Sequence, residues 1–518
     1  MNAKPFVAVV AAARERRSTQ VVVACWVVAA AVLMLAVTVQ PFRDTDVWWH
    51  LALGRYIAVH GIPSQEPFSF LAAQHPWVGQ QWLYEVLLAG LVGAGGPGLA
   101  SVVMGVVAAC ALAIAAASVP RSARVPGIAL GAGMVFSGLV MAQVVGVRGQ
   151  VITLFGVAVV MCVVARWREG RNGALFVLPP LFLLWANMHA GFIAGFAVIA
   201  TALLLARPLG AGGASRRHLG AALGVSLLAT LLNPAGPGLY AYVVETFANP
   251  TLTQLVTEWT SPDFHNIWLQ LFEAEVVILV VLWAIGGGPD RFDVALAAGL
   301  LVATLQAQRN VSLFAIIAVP QIAVYGTRAF RLRVLPRLRE RSGLLRPRPA
   351  LALGVTAVVG IATALTVAPG ISAQQTQAFE SSRYPAAAAT YYAAHFAGER
   401  LYSPDTWGGY LAYRFPLGRV VFLYDETAVF GDASLQRYLD IHDLHDDWTS
   451  VLQSESIRVA IVPQDSQEAS ALHEVGWSVE CADNLSGSLL MSAPASTQVR
   501  TEVASEPLAV PVSGALPC

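Results

Sequence analysis

Between Asp44 and His50 the chain reads Asp-Thr-Asp-Val-Trp-Trp-His, which sets two carboxylates and an imidazole beside paired tryptophans just after a long apolar run. Ionisable groups next to lipid are costly, roughly 2.5–3.5 kcal/mol each at a helix centre. Their concentration at one turn points to a site. Tryptophans favour the membrane–water interface, so an aromatic belt followed by a capped amphipathic helix is the plain alternative. That alternative accounts for Trp48 and Trp49 but not for Asp44, Asp46 and His50.

Other polar residues stand at the ends of apolar runs: Arg148 with Gln150, Asn187 with His189, Asn233-Pro234, Glu258-Trp259 and Arg309-Asn310. Each also has a simpler reading. Arg148 can snorkel to headgroups, Asn187 can satisfy freed carbonyls at a helix end, and Asn233-Pro234 reads as a turn. Glu258 sits in a polar loop where solvation is the default. Arg309, between polar residues and an apolar run, calls for an anion, whether a carboxylate or a phosphate.

The elements that must position these residues are membrane helices. Hydrophobic residues make up 56% and charged residues 12%, with mean hydropathy +0.60, well outside the globular balance. We read an α-helical polytopic membrane protein with about eleven spans, near 20–40, 98–119, 126–145, 150–165, 174–188, 191–206, 219–232, 269–286, 294–307, 311–327 and 350–369. The segment 82–95 is short, carries Glu85 and ends in Gly95-Gly96-Pro97-Gly98, so it reads as an interfacial helix. If it spans instead, every later segment flips. Arginines Arg14, Arg16 and Arg17 precede the first run, which is too long for a cleaved signal peptide. With the N-terminus inside, most of the 32 Lys and Arg residues fall in inner loops, including Arg121 and Arg124, Arg166 to Arg171, and the run from Arg328 to Arg348. This places 1–19 in the cytoplasm, 20–370 in the membrane with an outer loop 41–97, and 371–518 outside. It also puts Asp44, Asp46, His50, Arg148, Gln150, His189, Glu258 and Arg309 on the outer face, as a site built from several helix ends requires. The formal net charge of +0 comes with no basic patch, which argues against nucleic acid as a partner. Lysine is nearly absent, and with the Ala, Gly and Arg usage this suggests a GC-rich bacterial genome and the bacterial inner membrane.

Residues 371–495 change character and read as a small extracytoplasmic α/β domain. Helix is expected over 385–395, 435–452 and 466–475, strand over 400–402, 420–424 and 459–462, and a turn at Asp405-Thr406-Trp407-Gly408-Gly409. The acidic run Asp440–Asp447 matches no cation-binding loop and reads as a solvated helix face. Residues 496–518 are Pro/Ala-rich and polar, a disordered tail. Cys25, Cys110 and Cys162 fall in spans, where packing is the expected role. Cys481 and Cys518 fall in the C-terminal domain, and the sequence leaves open whether they pair, as they could if that domain lies outside the cytoplasm.

Together these motifs resemble a group of bacterial multi-span proteins that share an acidic pair before WWHL-x-x-G, an Arg/Gln pair, WAN-x-H, LNP, EW-x-SP and Arg-Asn before a late span. Here they are Asp44 to Gly54, Arg148 and Gln150, Trp185 to His189, Leu232 to Pro234, Glu258 to Pro262, and Arg309-Asn310, with Trp407 to Leu411 also fitting. The chain departs at Ala190-Gly191, where relatives tend to show Gly-Gly, and at Asp425-Glu426-Thr427, where they tend to show Asp-Gly-Arg. The group is similar to the GT-C glycosyltransferases, which implies transfer of a sugar from a polyprenyl-phosphate carrier to a glycan, lipid or protein acceptor on the outer face. The resemblance casts Asp44 or Asp46 as the general base. Arg309, Arg148 or His189 stabilises the leaving phosphate, Gln150 and Glu258 join in substrate binding, and His50 orients Asp46 or contacts phosphate. Alternatively, Asp44 and Asp46 hold a divalent cation, Mg or Mn, that bridges the phosphate. A transporter or flippase of lipid-linked substrates predicts internal repeats and mid-span charges, which the chain does not show. A non-catalytic membrane scaffold is the third reading.

Overall fold

Long apolar stretches with few breakers form helices here, and the computed structural model is mostly helical. It describes residues 4–123, 125–142, 144–209, 213–248, 256–334, 349–494 and 516–518. Arg124, most of the Arg328–Arg348 run, and residues 495–515 of the expected tail lie outside the described residues. The chain divides into two units. One comprises residues 1–40, 101–239 and 256–370, and the other 41–100, 240–255 and 371–518.

In the first unit, small residues let helices approach closely. Gly131 leaves no room for a Cβ against the Trp26 ring, and the Ser137 hydroxyl donates to the buried Glu275 Oε1 at 2.6 Å. The eleven-span reading is corrected. Among the described residues, five helices are long and apolar enough to cross a membrane: Gln20–Thr38, Trp82–Ala117, Gln150–Arg168, Ile267–Ile285 and Gln308–Arg333. There are six if the bent pair Thr356–Ala368 and Ala373–Arg383 forms one span. The physical reason is length. The expected spans at 126–145, 191–206, 219–232 and 294–307 fold as helices of 15, 14, 15 and 16 residues. At 1.5 Å per residue the longest of these reaches about 24 Å, short of a core about 30 Å thick. Segment 174–188 splits into a 3-10 turn, Asn172–Val177, and a helix, Leu178–Met188. Residues 82–95 continue into the next run, with the break at Gly95 and Gly96, where the backbone is non-helical.

In the second unit, the strands are β1 (Leu401–Tyr402), β2 (Val459–Pro463), β3 (Ser478–Asp483), β4 (Ser488–Ser492) and β5 (Leu516–Pro517). They form one sheet in the order β1-β2-β4-β3-β5, parallel at both outer pairings and antiparallel at the two inner ones. The helices Ala386–His395 and Gln467–Glu474 and the strand at 459–463 match expectation. Residues 420–424 contribute isolated bridges at Val421. The expected helix 435–452 is split into Thr427–His442 and Trp448–Ser454. The tail reading does not hold for residues 516–518: β5 pairs with β3, and Cys518 forms a disulfide with Cys481.

The expected turn at Asp405–Gly409 is instead the start of the helix Asp405–Arg414. Its glycines serve close packing. A Cβ on Gly408 would lie 1.9 Å from the Leu423 carbonyl oxygen, and one on Gly409 3.4 Å from Trp49 and the Thr45 carbonyl. Trp48 and Trp49 are not an interfacial belt. They are 4% and 1% exposed, with Trp48 packed among Phe42, Tyr384, Tyr410 and Tyr413. Residues distant in sequence supply that aromatic shell, so local hydropathy could not reveal it.

Candidate functional site

Each unit gathers part of the expected set. In the first unit, the helix Gln150–Arg168 begins just after Arg148, and the 3-10 turns Thr257–Trp259 and Gln308–Asn310 are tied together. Gln308 makes the tie by donating from its amide N–H to the Thr260 carbonyl at 2.9 Å and from Nε2 to the Thr257 carbonyl at 2.6 Å. Arg148 forms an ion pair with Glu258. Arg309 lies over the Trp259 ring, 4.4 Å from its centroid. With the Gln150 amide oriented by its hydrogen-bond network, its oxygen accepts from Arg309 Nη2 at 2.8 Å and Nε at 3.2 Å. Burial pushes the Glu258 carboxyl upward, but the Arg148 and Arg309 guanidiniums outweigh it and hold the group below the usual range. Arg309 thus finds a protein carboxylate nearby in Glu258.

His189 joins this group through a tautomer lock. Its Nδ1 accepts from the Gly191 amide at 3.0 Å and lies 2.8 Å from Thr153 Oγ1. Thr153 in turn accepts from Trp185 Nε1 at 3.2 Å. An accepting Nδ1 puts the proton on Nε2. Burial first, and then the Arg309 charge, pushes the His189 pKa down to about 3. His189 is therefore a neutral donor rather than a cation. The departure at Ala190-Gly191 falls where it does little harm, because Gly191 is the glycine that the packing requires: a Cβ there would lie 2.2 Å from Thr153 Oγ1. Asn187 and Asn233 are structural. Asn187 bridges the Leu183 and Leu232 carbonyls, and Asn233 closes its own turn.

In the second unit, Asp46 opens the helix Asp46–His60, where a carboxylate favours the helix dipole. Asp44 Oδ1 accepts from the Asp46 amide at 3.4 Å, and Trp49 Nε1 donates to Asp46 Oδ1 at 3.5 Å. Between them, the Thr45 hydroxyl donates to Asp425, a residue the sequence reading noted only as the first of a departing triplet. Burial, followed by the Asp46 and Asp405 carboxylates, holds the Asp425 carboxyl well above the ordinary range. His50 has a partner that local spacing did not suggest. Its Nδ1 lies 3.3 Å from Oε1 of the buried Glu85, whose charge in an apolar run was the one signal that could have found it. Glu426, the second departing residue, accepts from Gln80 at 3.2 Å and from the Tyr242 hydroxyl at 3.1 Å. Among the described residues, no three His, Cys, Asp or Glu side chains are grouped to hold a metal.

A second buried carboxylate anchors the loop after this helix. Glu66 accepts from the Phe68 and Ser69 amides at 2.7 and 2.6 Å and from the Tyr424 hydroxyl at 2.9 Å. Burial dominates these bonds and pushes its pKa up to about 7. The folded protein then keeps a proton that an unfolded chain releases near 4.5, so stability falls as pH rises from about 4.5 to 7, by up to about 3 kcal/mol. We expect the apparent unfolding temperature to drop between pH 5 and pH 8, and Glu66→Gln to flatten that slope. Equal slopes in a pH series would refute the assignment.

No family model and no curated protein matches the sequence. Solved structures do resemble the fold. The archaeal oligosaccharyltransferase AglB from Archaeoglobus fulgidus, in complex with an inhibitory peptide and a dolichol-phosphate, aligns over 88% of this chain and 70% of its own. The TM-score is 0.53 and the identity 10%. The apo form of the Archaeoglobus fulgidus oligosaccharyltransferase aligns over 85% and 69%, at TM-score 0.50 and 12% identity. At such identities the likeness speaks to the fold alone.

Proposed function

We propose that this multi-pass membrane protein is a glycosyltransferase that takes a sugar from a polyprenyl-phosphate-type carrier and delivers it to an acceptor on the extracytoplasmic face. The likeness to an oligosaccharyltransferase structure with bound dolichol-phosphate is the observation that carries this reading. Asp46, supported by Asp44, takes the proton of the acceptor hydroxyl as that oxygen attacks the anomeric carbon and the bond to the carrier phosphate breaks. Thr45 and Asp425 hold the Asp44–Asp46 turn, so the base is presented by a fixed backbone. Phosphate recognition falls to Arg148 and Arg309, whose forked donors suit an oxyanion. Neutral His189 adds an Nε2–H donor. The Cys481–Cys518 disulfide suits an oxidising compartment and so favours a C-terminal domain outside the cytoplasm.

The test is direct. Purified protein in lipid vesicles is given a panel of radiolabelled polyprenyl-phosphate sugars with a membrane-extract acceptor, and released carrier phosphate is measured. Turnover of one donor is expected. Movement of unaltered donor across the vesicle, with no release, would instead establish a flippase.

A further inference from the structure

The spans Gln150–Arg168 and Val311–Ala329 both begin at the Arg148–Glu258–Arg309 group, and their far ends meet at a second polar group that the proposed reaction does not use. Eighteen residues separate Gln150 from Arg168, about 27 Å of helix, so this group lies near the opposite membrane boundary. It surrounds a cavity of about 90 Å³. Met161, Leu296 and Val324 line its apolar side. Its polar floor is tightly bonded: Arg168 pairs with Asp290 and donates to the Arg207 carbonyl at 3.0 Å. The Tyr325 hydroxyl accepts from the Asp290 amide at 2.9 Å and donates to Asp293 Oδ2 at 2.6 Å. One acceptor is left over. Gln321 is 4% exposed, its Nε2 donates to the Asp293 carbonyl at 3.4 Å, and its Oε1 has no donor among the described residues. At the rim, the exposed Arg328 rests 5.0 Å from the Tyr325 ring centroid.

A group that completes this site must donate hydrogen bonds to Gln321 and tolerate the Asp290 and Asp293 carboxylates. It must also carry an anion for Arg328 and fit a small cavity. We infer that the cavity binds the headgroup of a phospholipid bearing a primary ammonium. The ammonium donates to Gln321 Oε1, the phosphate meets Arg328, and the chains lie along the apolar side.

The experiment uses the delipidated full chain and short-chain phosphatidylethanolamine, compared with phosphatidylcholine of the same chains and with free phosphoethanolamine, with binding read by native mass spectrometry. Trimethylation removes every donor, so phosphatidylethanolamine is expected to bind at least tenfold tighter than phosphatidylcholine, and free phosphoethanolamine far more weakly. Gln321→Leu should abolish the preference between the two lipids. Should that buried variant fail to fold, Arg328→Ala at the rim is expected to lower phosphatidylethanolamine affinity several-fold. Equal affinities for the two lipids, a preference that survives Gln321→Leu, or unaltered affinity in Arg328→Ala overturns the assignment. Tight binding of free phosphoethanolamine overturns its lipid character. None of these readouts depends on sugar transfer.

Discussion

Asp46→Asn should cut sugar transfer by about 10²–10⁴-fold, the range for loss of a general base, with the protein still inserting and unfolding as the parent does. The substitution keeps size and leaves an oxygen to accept from Trp49 Nε1, so the helix start at Asp46 survives. What it removes is the negative charge and the basicity. Asp44→Asn should do less, because the Asp44 side chain accepts from the Asp46 amide and an asparagine oxygen can do the same. The measurement is initial rate with saturating lipid-linked donor, alongside unfolding temperature. Parental rates in both Asp44→Asn and Asp46→Asn would remove this turn from the chemistry.

Gly408→Ala should be the most damaging single methyl in the second unit. The added carbon would lie 1.9 Å from a backbone carbonyl oxygen and 2.9 Å from the Tyr424 Cα, neither of which can rotate aside as a flexible side chain could. Relief requires the helix Asp405–Arg414 to move away from the segment that leads into Asp425, and with it the hold on Thr45. Overpacking of this kind costs typically about 1–3 kcal/mol and occasionally more, and rigid backbone on the far side puts this case at or above the upper end. Gly409→Ala is the internal control, since its Cβ would meet Thr45 and Trp49 at an ordinary 3.4 Å. A thermal unfolding series should therefore separate two neighbouring glycines. If Gly408→Ala unfolds at the parental temperature, the close approach described here is wrong.

The contrast between those glycines shows where sequence reading reached its limit. A Gly-Gly pair after Asp-Thr-Trp carries the local signature of a turn, and only the distant Leu423–Tyr424 backbone makes it a packing surface. Trp48 and Trp49 follow the same logic, as their aromatic partners at 384, 410, 413 and 424 come from the far end of the chain. The span count failed for a different reason: hydropathy reports what a helix is made of, and crossing a bilayer also depends on where its backbone stops.

Composition pointed to a chain rich in membrane-capable helices, and motif order singled out Arg148, Gln150, Glu258 and Arg309. Those residues sit at the starts of helices or in short turns beside them, where the apolar periodicity gives out and a polar side chain must find a partner. The sequence could not pair His50 with Glu85, bring Asp425 to Thr45, or choose the neutral tautomer of His189. Each of these depends on a carboxylate, hydroxyl or amide delivered by a separate element, at separations of 35 residues for His50–Glu85 and 380 for Thr45–Asp425. Contacts of that range leave no trace in local periodicity, and tertiary packing alone decided them.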